Sequence, residues 1–143
     1  MKQHNLDLAT AALRLSLASV FLFHGAQKLF GLFGGYGIDG TAGYMESIGL
    51  PFGTLMAVLA GATELLGGLA LLLGVGVRLA SVPLAFTMLI AAFLGHPGSF
   101  DAAKGGMEYP LTLLAGIIAL GLLGPGSYSI ASMFRPAPAL ETV

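Results

Sequence analysis

Four stretches of this chain are apolar enough to lie in a lipid bilayer, and that limits its fold more than any motif does. A helix that spans a membrane needs about 20 consecutive, mostly apolar residues, because hydrocarbon offers no partner for a bare backbone amide. The first stretch, 8–33, is interrupted by Arg14, His24 and Lys28. The second, 51–74, holds one charge, Glu64. The third, 77–95, is uncharged beyond Arg78 at its edge and carries Pro83 near its start, where a kink is expected. The fourth, 107–124, is the shortest and stops at Gly124-Pro125-Gly126.

Composition closes off the alternative of a water-soluble domain. Only 9% of the residues are charged, against about 25% in a typical soluble domain. The net charge of −1 supplies no basic patch for nucleic acid. The absence of cysteine removes disulfides, thiolate metal ligands and thiol chemistry. Tryptophan is absent as well, so aromatic anchoring at the membrane surface falls to the four Tyr and nine Phe.

The connections predict a single all-α domain over 1–143, a four-helix transmembrane bundle. Residues 34–51 are Gly-rich and read as the longest loop. The short Gly74–Arg78 turn makes the second and third helices antiparallel neighbours, and His96–Gly106 joins the third to the fourth. Lys2, Arg78 and Arg135 fall on one side of this topology. Asp39, Glu46 and Asp101 fall on the other, with Lys104 as the one loop cation there. Such a bias puts both termini in the cytoplasm. Lys2 ahead of an apolar run also invites a signal-peptide reading, but Arg14 interrupts the apolar core and no clean small-residue cleavage site follows, so no cleavage is expected.

Within this topology the ionisable residues converge. At about 100° per residue, Arg14, Phe21, His24, Gly25 and Lys28 share an arc of roughly 100° on the first helix. On the second helix Ala57, Ala60, Gly61, Gly67 and Gly68 surround Glu64, a small-residue face that lets a neighbour approach. Arg14 then lies in the inner half, His24 and Lys28 in the outer half, and Glu64 near the middle. His96 and Glu108 lie at the outer ends of the third and fourth helices. A charge at the bilayer centre costs about 2.5–3.5 kcal/mol, so partners are expected, and the expected pair is Arg14–Glu64.

Each residue alone has a plainer reading. Lys28 can snorkel, His96 can be a polar helix end, and Glu108 suits the dipole at a helix N-terminus. Together, two histidines and two carboxylates could hold a transition metal, yet no local ligand motif such as HExxH is present. Haem ligation by His24 and His96 finds no other support. A quinone fits the apolar surroundings, with histidine and Lys28 donors at its carbonyl oxygens and Glu64 or Glu108 relaying protons. Chemistry alone leaves quinone, metal and purely structural roles open.

The order of these features resembles the DoxX-like family of small four-helix bacterial membrane proteins. The matching elements are RLSLASVFLFHGAQKLFG (14–31), GLP (49–51), AGATELLGGLALLLG (60–74), Arg78, His96, GGMEYPLTLL (105–114) and GPGSYSI (124–130). On the family pattern Arg14, His24-Gly25, Lys28, Glu64, His96 and Glu108-Tyr109 are the signature polar positions. Relatives include membrane subunits of thiosulfate:quinone oxidoreductase, so the resemblance implies a quinone-linked redox component in the bacterial inner membrane. On that reading His24, Lys28, His96 and Tyr109 hold the quinone, Glu64 and Glu108 handle protons, and Arg14 neutralises Glu64. The implied partners are membrane lipid, quinone and a soluble redox protein, and a homo-oligomer is compatible. The alternatives are metal or small-solute binding or transport at the same cluster, or a non-catalytic scaffold subunit.

Overall fold

The computed structural model describes residues 2–134, and among them it contains helices and no strand. Helix α1 spans Lys2–Phe30, α2 Gly37–Ser47, α3 Gly53–Leu73 and α4 Val77–Ile90. A π-helical turn, Ala91–Gly95, extends α4, and α5 (Glu108–Leu123) and the short α6 (Ile130–Met133) follow. Arg135, one of the cations in the orientation argument, lies outside the described residues.

Three of these helices are long and apolar enough to cross a membrane: Lys2–Phe30, Gly53–Leu73 and Val77–Gly95, of 29, 21 and 19 residues. Helix α5 is equally apolar but has 16 residues, about 24 Å of rise. Leu79 on α4 and Leu122 on α5 are 80% and 78% exposed. Such surfaces are costly in water and ordinary in lipid. Pro83 lies inside α4, which remains helical through it.

The largest departure from the sequence reading is residues 34–51. This segment is mostly the helix α2, although three of its eleven residues are glycine. Thr41, Ala42 and Met45 recur at helical spacing and are buried, and α2 packs on α3. A Cβ on Gly53 would meet the Ala42 carbonyl oxygen at 2.5 Å, so backbone nearly touches backbone where α3 begins. Tertiary packing therefore outweighs the roughly 1 kcal/mol per glycine that disfavours helix. At the other end of the expected first helix, Gly31 (φ 67°) takes the chain out of α1 at Phe30, earlier than residue 33.

Helices α1 and α3 form the most extensive pair and run antiparallel. Their glycines set the distance between them. A Cβ on Gly25 would come within 2.6 Å of the Leu65 amide nitrogen, and one on Gly68 within 2.8 Å of the Leu22 nitrogen. Beneath α2, Leu17, Phe21, Leu71, Val77, Leu84, Leu113, Ile117 and Leu120 fill the core between α1, α3, α4 and α5. Leu84 of α4 seats against Gly67 of α3, where a Cβ would lie 2.8 Å from its Cγ and Cδ1 atoms. That contact closes the bundle below the space described next.

Candidate functional site

A cavity of about 910 Å³ occupies the α2 end of the bundle. His24 and Lys28 from α1, Glu64 from α3 and His96 after α4 line it, among mostly apolar neighbours such as Met45, Leu59 and Ile90. Four of the seven residues singled out from the sequence thus face one space.

At its floor Lys28 Nζ donates to Glu64 Oε2 at 2.6 Å. Side chains on a helix lean toward its N-terminus, so Lys28 reaches back along α1 to the level of Glu64. Gly61 makes this possible: its missing Cβ would sit 3.2 Å from Lys28 Cβ and 2.7 Å from Leu29 Cγ. The carboxylate is almost wholly buried, while the ammonium remains partly open to the cavity. The pair is therefore a buried charge held by a half-solvated one.

This corrects the expected Arg14–Glu64 pair. Arg14 is buried, but its Nη1 donates to the Pro125 carbonyl at 2.6 Å and its Nη2 to that of Tyr128. Its guanidinium crowds Gly74, the left-handed residue that ends α3. Gly74 lies ten positions after Glu64, about 15 Å along the helix axis. Both residues lie on the interior faces that the periodicity indicated, but at different depths. Arg14 instead fastens the chain after α5 to the far end of α3, where a cation also suits the helix dipole.

His96 sits where the π-helical turn ends, and its Nδ1 lies 2.8 Å from the Ala91 carbonyl oxygen. A carbonyl can only accept, so Nδ1 carries the hydrogen and Nε2 is the acceptor of the neutral ring. The ring of His24 stands edge-on to Phe23, with centroids 5.5 Å apart. Tyr109 lies 6.4 Å from His24, ring to ring, and does not line the cavity. Glu108 is also elsewhere: its Oε1 accepts from the Ala102 amide at 2.7 Å, shaping the loop before α5. Neither residue of the Glu108-Tyr109 pair is brought to the cavity wall.

Other polar wall residues escaped the sequence reading: Thr41 and Tyr44 of α2, Thr63 of α3 and Thr87 of α4. Tyr44 donates to the Gly95 carbonyl at 2.9 Å and ties α2 to the end of α4. A signal existed, since Thr41, Ala42 and Met45 repeat at helical spacing, with Tyr44 three residues after Thr41. Among the described residues no three of His, Cys, Asp and Glu come together as a metal-binding group.

Comparison with known proteins sets the chain among membrane proteins. The DoxX family profile matches residues 9–97, more than half of the chain. The uncharacterized membrane protein Rv3486 of Mycobacterium tuberculosis is 36% identical, over 82% of this chain and 76% of its own. The inner membrane protein YqjF of Escherichia coli K12 is 33% identical, over 87% and 90%. A Bacillus subtilis protein named "Putative oxidoreductase CatD" is 31% identical, over 82% and 81%. No solved structure matches the chain. With its long apolar helices and these relatives, the chain is a multi-pass integral membrane protein and belongs to the DoxX family.

Proposed function

We propose that this protein is a quinone-binding component of a membrane redox system, with the cavity beside Lys28 and Glu64 as the binding site. The observation that carries the reading is the meeting of His24, Lys28, Glu64 and His96 in one largely apolar space. Apolar walls with a few convergent polar groups are the usual make-up of small-molecule sites. A bound quinone supplies the two-electron, two-proton chemistry that no side chain of this cysteine-free chain provides. The name of the Bacillus subtilis relative points in the same direction.

The chain's own groups divide the remaining work. Lys28 Nζ, already turned into the cavity, donates a hydrogen bond to a ring oxygen and fixes the head group's depth. His96 Nε2 accepts a hydroxyl proton, because Nδ1 is held as the donor by Ala91. Glu64 exchanges a proton with Lys28 across their hydrogen bond. His24 supplies a second ring-oxygen contact from α1, backed by Tyr109. Electrons pass to or from a soluble partner. In the membrane we place α5 as the fourth span and both termini on the cytoplasmic side, following Lys2 and Arg78 at the end opposite α2. A metal site is the weaker reading, since the histidines and Glu64 do not assemble into a three-ligand group.

The test is the quinone content of protein purified in native lipid, measured by mass spectrometry of solvent extracts beside metal analysis of the protein. Near-stoichiometric quinone in the native protein, lost in His24→Ala, is the expected result. Absence of quinone from the native protein overturns the proposal, and a His24-dependent metal would replace it with the metal reading.

A further inference from the structure

Resting on that quinone reading, we infer that the cleft between α3 and α4 is a tail-binding subsite and lateral entry path, so that the ligand is a quinone with a long isoprenoid chain drawn directly from the lipid. Leu84 packed against Gly67 closes the bundle below the cavity, and α2, which Tyr44 ties to Gly95, covers its end. Its lining comes from α1 to α4 and the residues joining and following them, with none from α5. Between α3 and α4 the lining reaches the outer surface of the bundle.

The rim of that gap is apolar and exposed. Leu59 on α3 is 52% exposed and Phe86 on α4 is 63% exposed, and both line the cavity. Both belong to helices long and apolar enough to span the membrane, so what reaches this rim is hydrocarbon. The exposed tyrosines of the lining, Tyr36 and Tyr44, lie at the α2 end instead, where a solute from water would arrive. A chain-bearing amphiphile keeps its tail on Leu59 and Phe86 while its head group reaches Lys28 and Glu64. The size of the space agrees: about 910 Å³ lies near the top of the range for sites that enclose whole small ligands.

The experiment compares two ligands on the full chain in nanodiscs of fixed lipid: a benzoquinone carrying a polyprenyl tail, and the same ring with a methyl group instead. Rim variants Leu59→Trp and Phe86→Trp are set against Leu122→Trp, an exposed α5 position away from the cavity. Comparing variant with native protein for one ligand at a time cancels differences in partitioning. Either rim variant should weaken the tailed quinone about tenfold, leaving the tail-less ring and the control unchanged. Tailed binding that survives both rim variants overturns the subsite while leaving the quinone reading standing, as does equal weakening of both ligands. Loss of co-purified phospholipid from the rim variants, with tailed-quinone binding intact, assigns the cleft to an acyl chain and likewise overturns it. Native protein that binds neither ring sinks the quinone reading itself, and the tail subsite with it.

Discussion

Lys28 Nζ and Glu64 Oε2 lie 2.6 Å apart across the α1–α3 contact, and the two sides of the pair are unequally buried: 25% of the lysine side chain is exposed against 3% of the glutamate. The inequality makes the two truncations different. Lys28→Met strands a buried carboxylate, whereas Glu64→Gln leaves an ammonium that can still turn toward the cavity. Removing one partner of a buried pair costs about 3–5 kcal/mol, so Lys28→Met should approach about 3 kcal/mol and Glu64→Gln should cost less. The double variant should regain most of the loss, because no unpaired charge remains. Thermal unfolding in detergent would show this ordering, and simple additivity of the two single variants would contradict it.

Arg14 should behave as part of the opposite end of the bundle. Its guanidinium donates to Pro125 and Tyr128, and charge-assisted hydrogen bonds contribute about 1.5–3 kcal/mol each. Arg14→Gln should therefore destabilise the protein and raise amide exchange in residues 124–130, with Lys28 and its neighbours undisturbed. Combined with Glu64→Gln, the effects should add within about 0.5 kcal/mol, as expected for sites with no shared partner. A coupling well above that would restore the Arg14–Glu64 pair.

Tyr44 offers a test of α2 as the cover of the cavity. Its hydroxyl is the hydrogen-bond tie from α2 to Gly95. Tyr44→Phe keeps the ring and removes that bond, a change worth about 1 kcal/mol. Faster amide exchange across residues 37–47, without a matching change in α1 or α3, is the expected readout. Uniform exchange across the whole bundle would mean that α2 does not move separately from the rest.

The sequence carried the hydropathy-driven part of this architecture well. The apolar windows became α1, α3, α4 and α5 with shifts of a few residues, because burial in lipid constrains long uniform segments strongly. It also carried the interior face: His24, Lys28, Glu64 and His96 do line one cavity. Depth was harder. Pairing Arg14 with Glu64 required knowing how far α1 slides against α3, and that register is set by Gly25, Gly61 and Gly68 meeting Leu65, Leu29 and Leu22. The small-residue face marks where two helices meet, but not how far one slides along the other. Helix α2 was hidden for a related reason, since its glycines resemble a loop until Thr41, Ala42 and Met45 find α3 to pack against. Glu108 fell outside the cavity because the loop before α5 uses its carboxylate to hold Ala102.

If glycine contacts do set the α1–α3 register, then glycines of the same chain should differ sharply in their tolerance of alanine. At Gly25 a new Cβ would lie 2.6 Å from the Leu65 nitrogen and 2.9 Å from its Cα. These are backbone atoms, which cannot rotate away. Gly25→Ala must therefore push α1 off α3, at a cost of about 1–3 kcal/mol as in other overpacked sites, and it should lengthen the Lys28–Glu64 contact as well. Gly43 in α2 has nothing within 4 Å of its Cβ position. Gly43→Ala should then stabilise by about 0.4–1 kcal/mol, through the unfolded chain's lost freedom. The measurement is the shift in unfolding midpoint for the two variants side by side. Opposite signs support a register fixed by close helix approach, while equal tolerance at both positions would mean that α1 and α3 can repack and that the depth of Lys28 is set by something else.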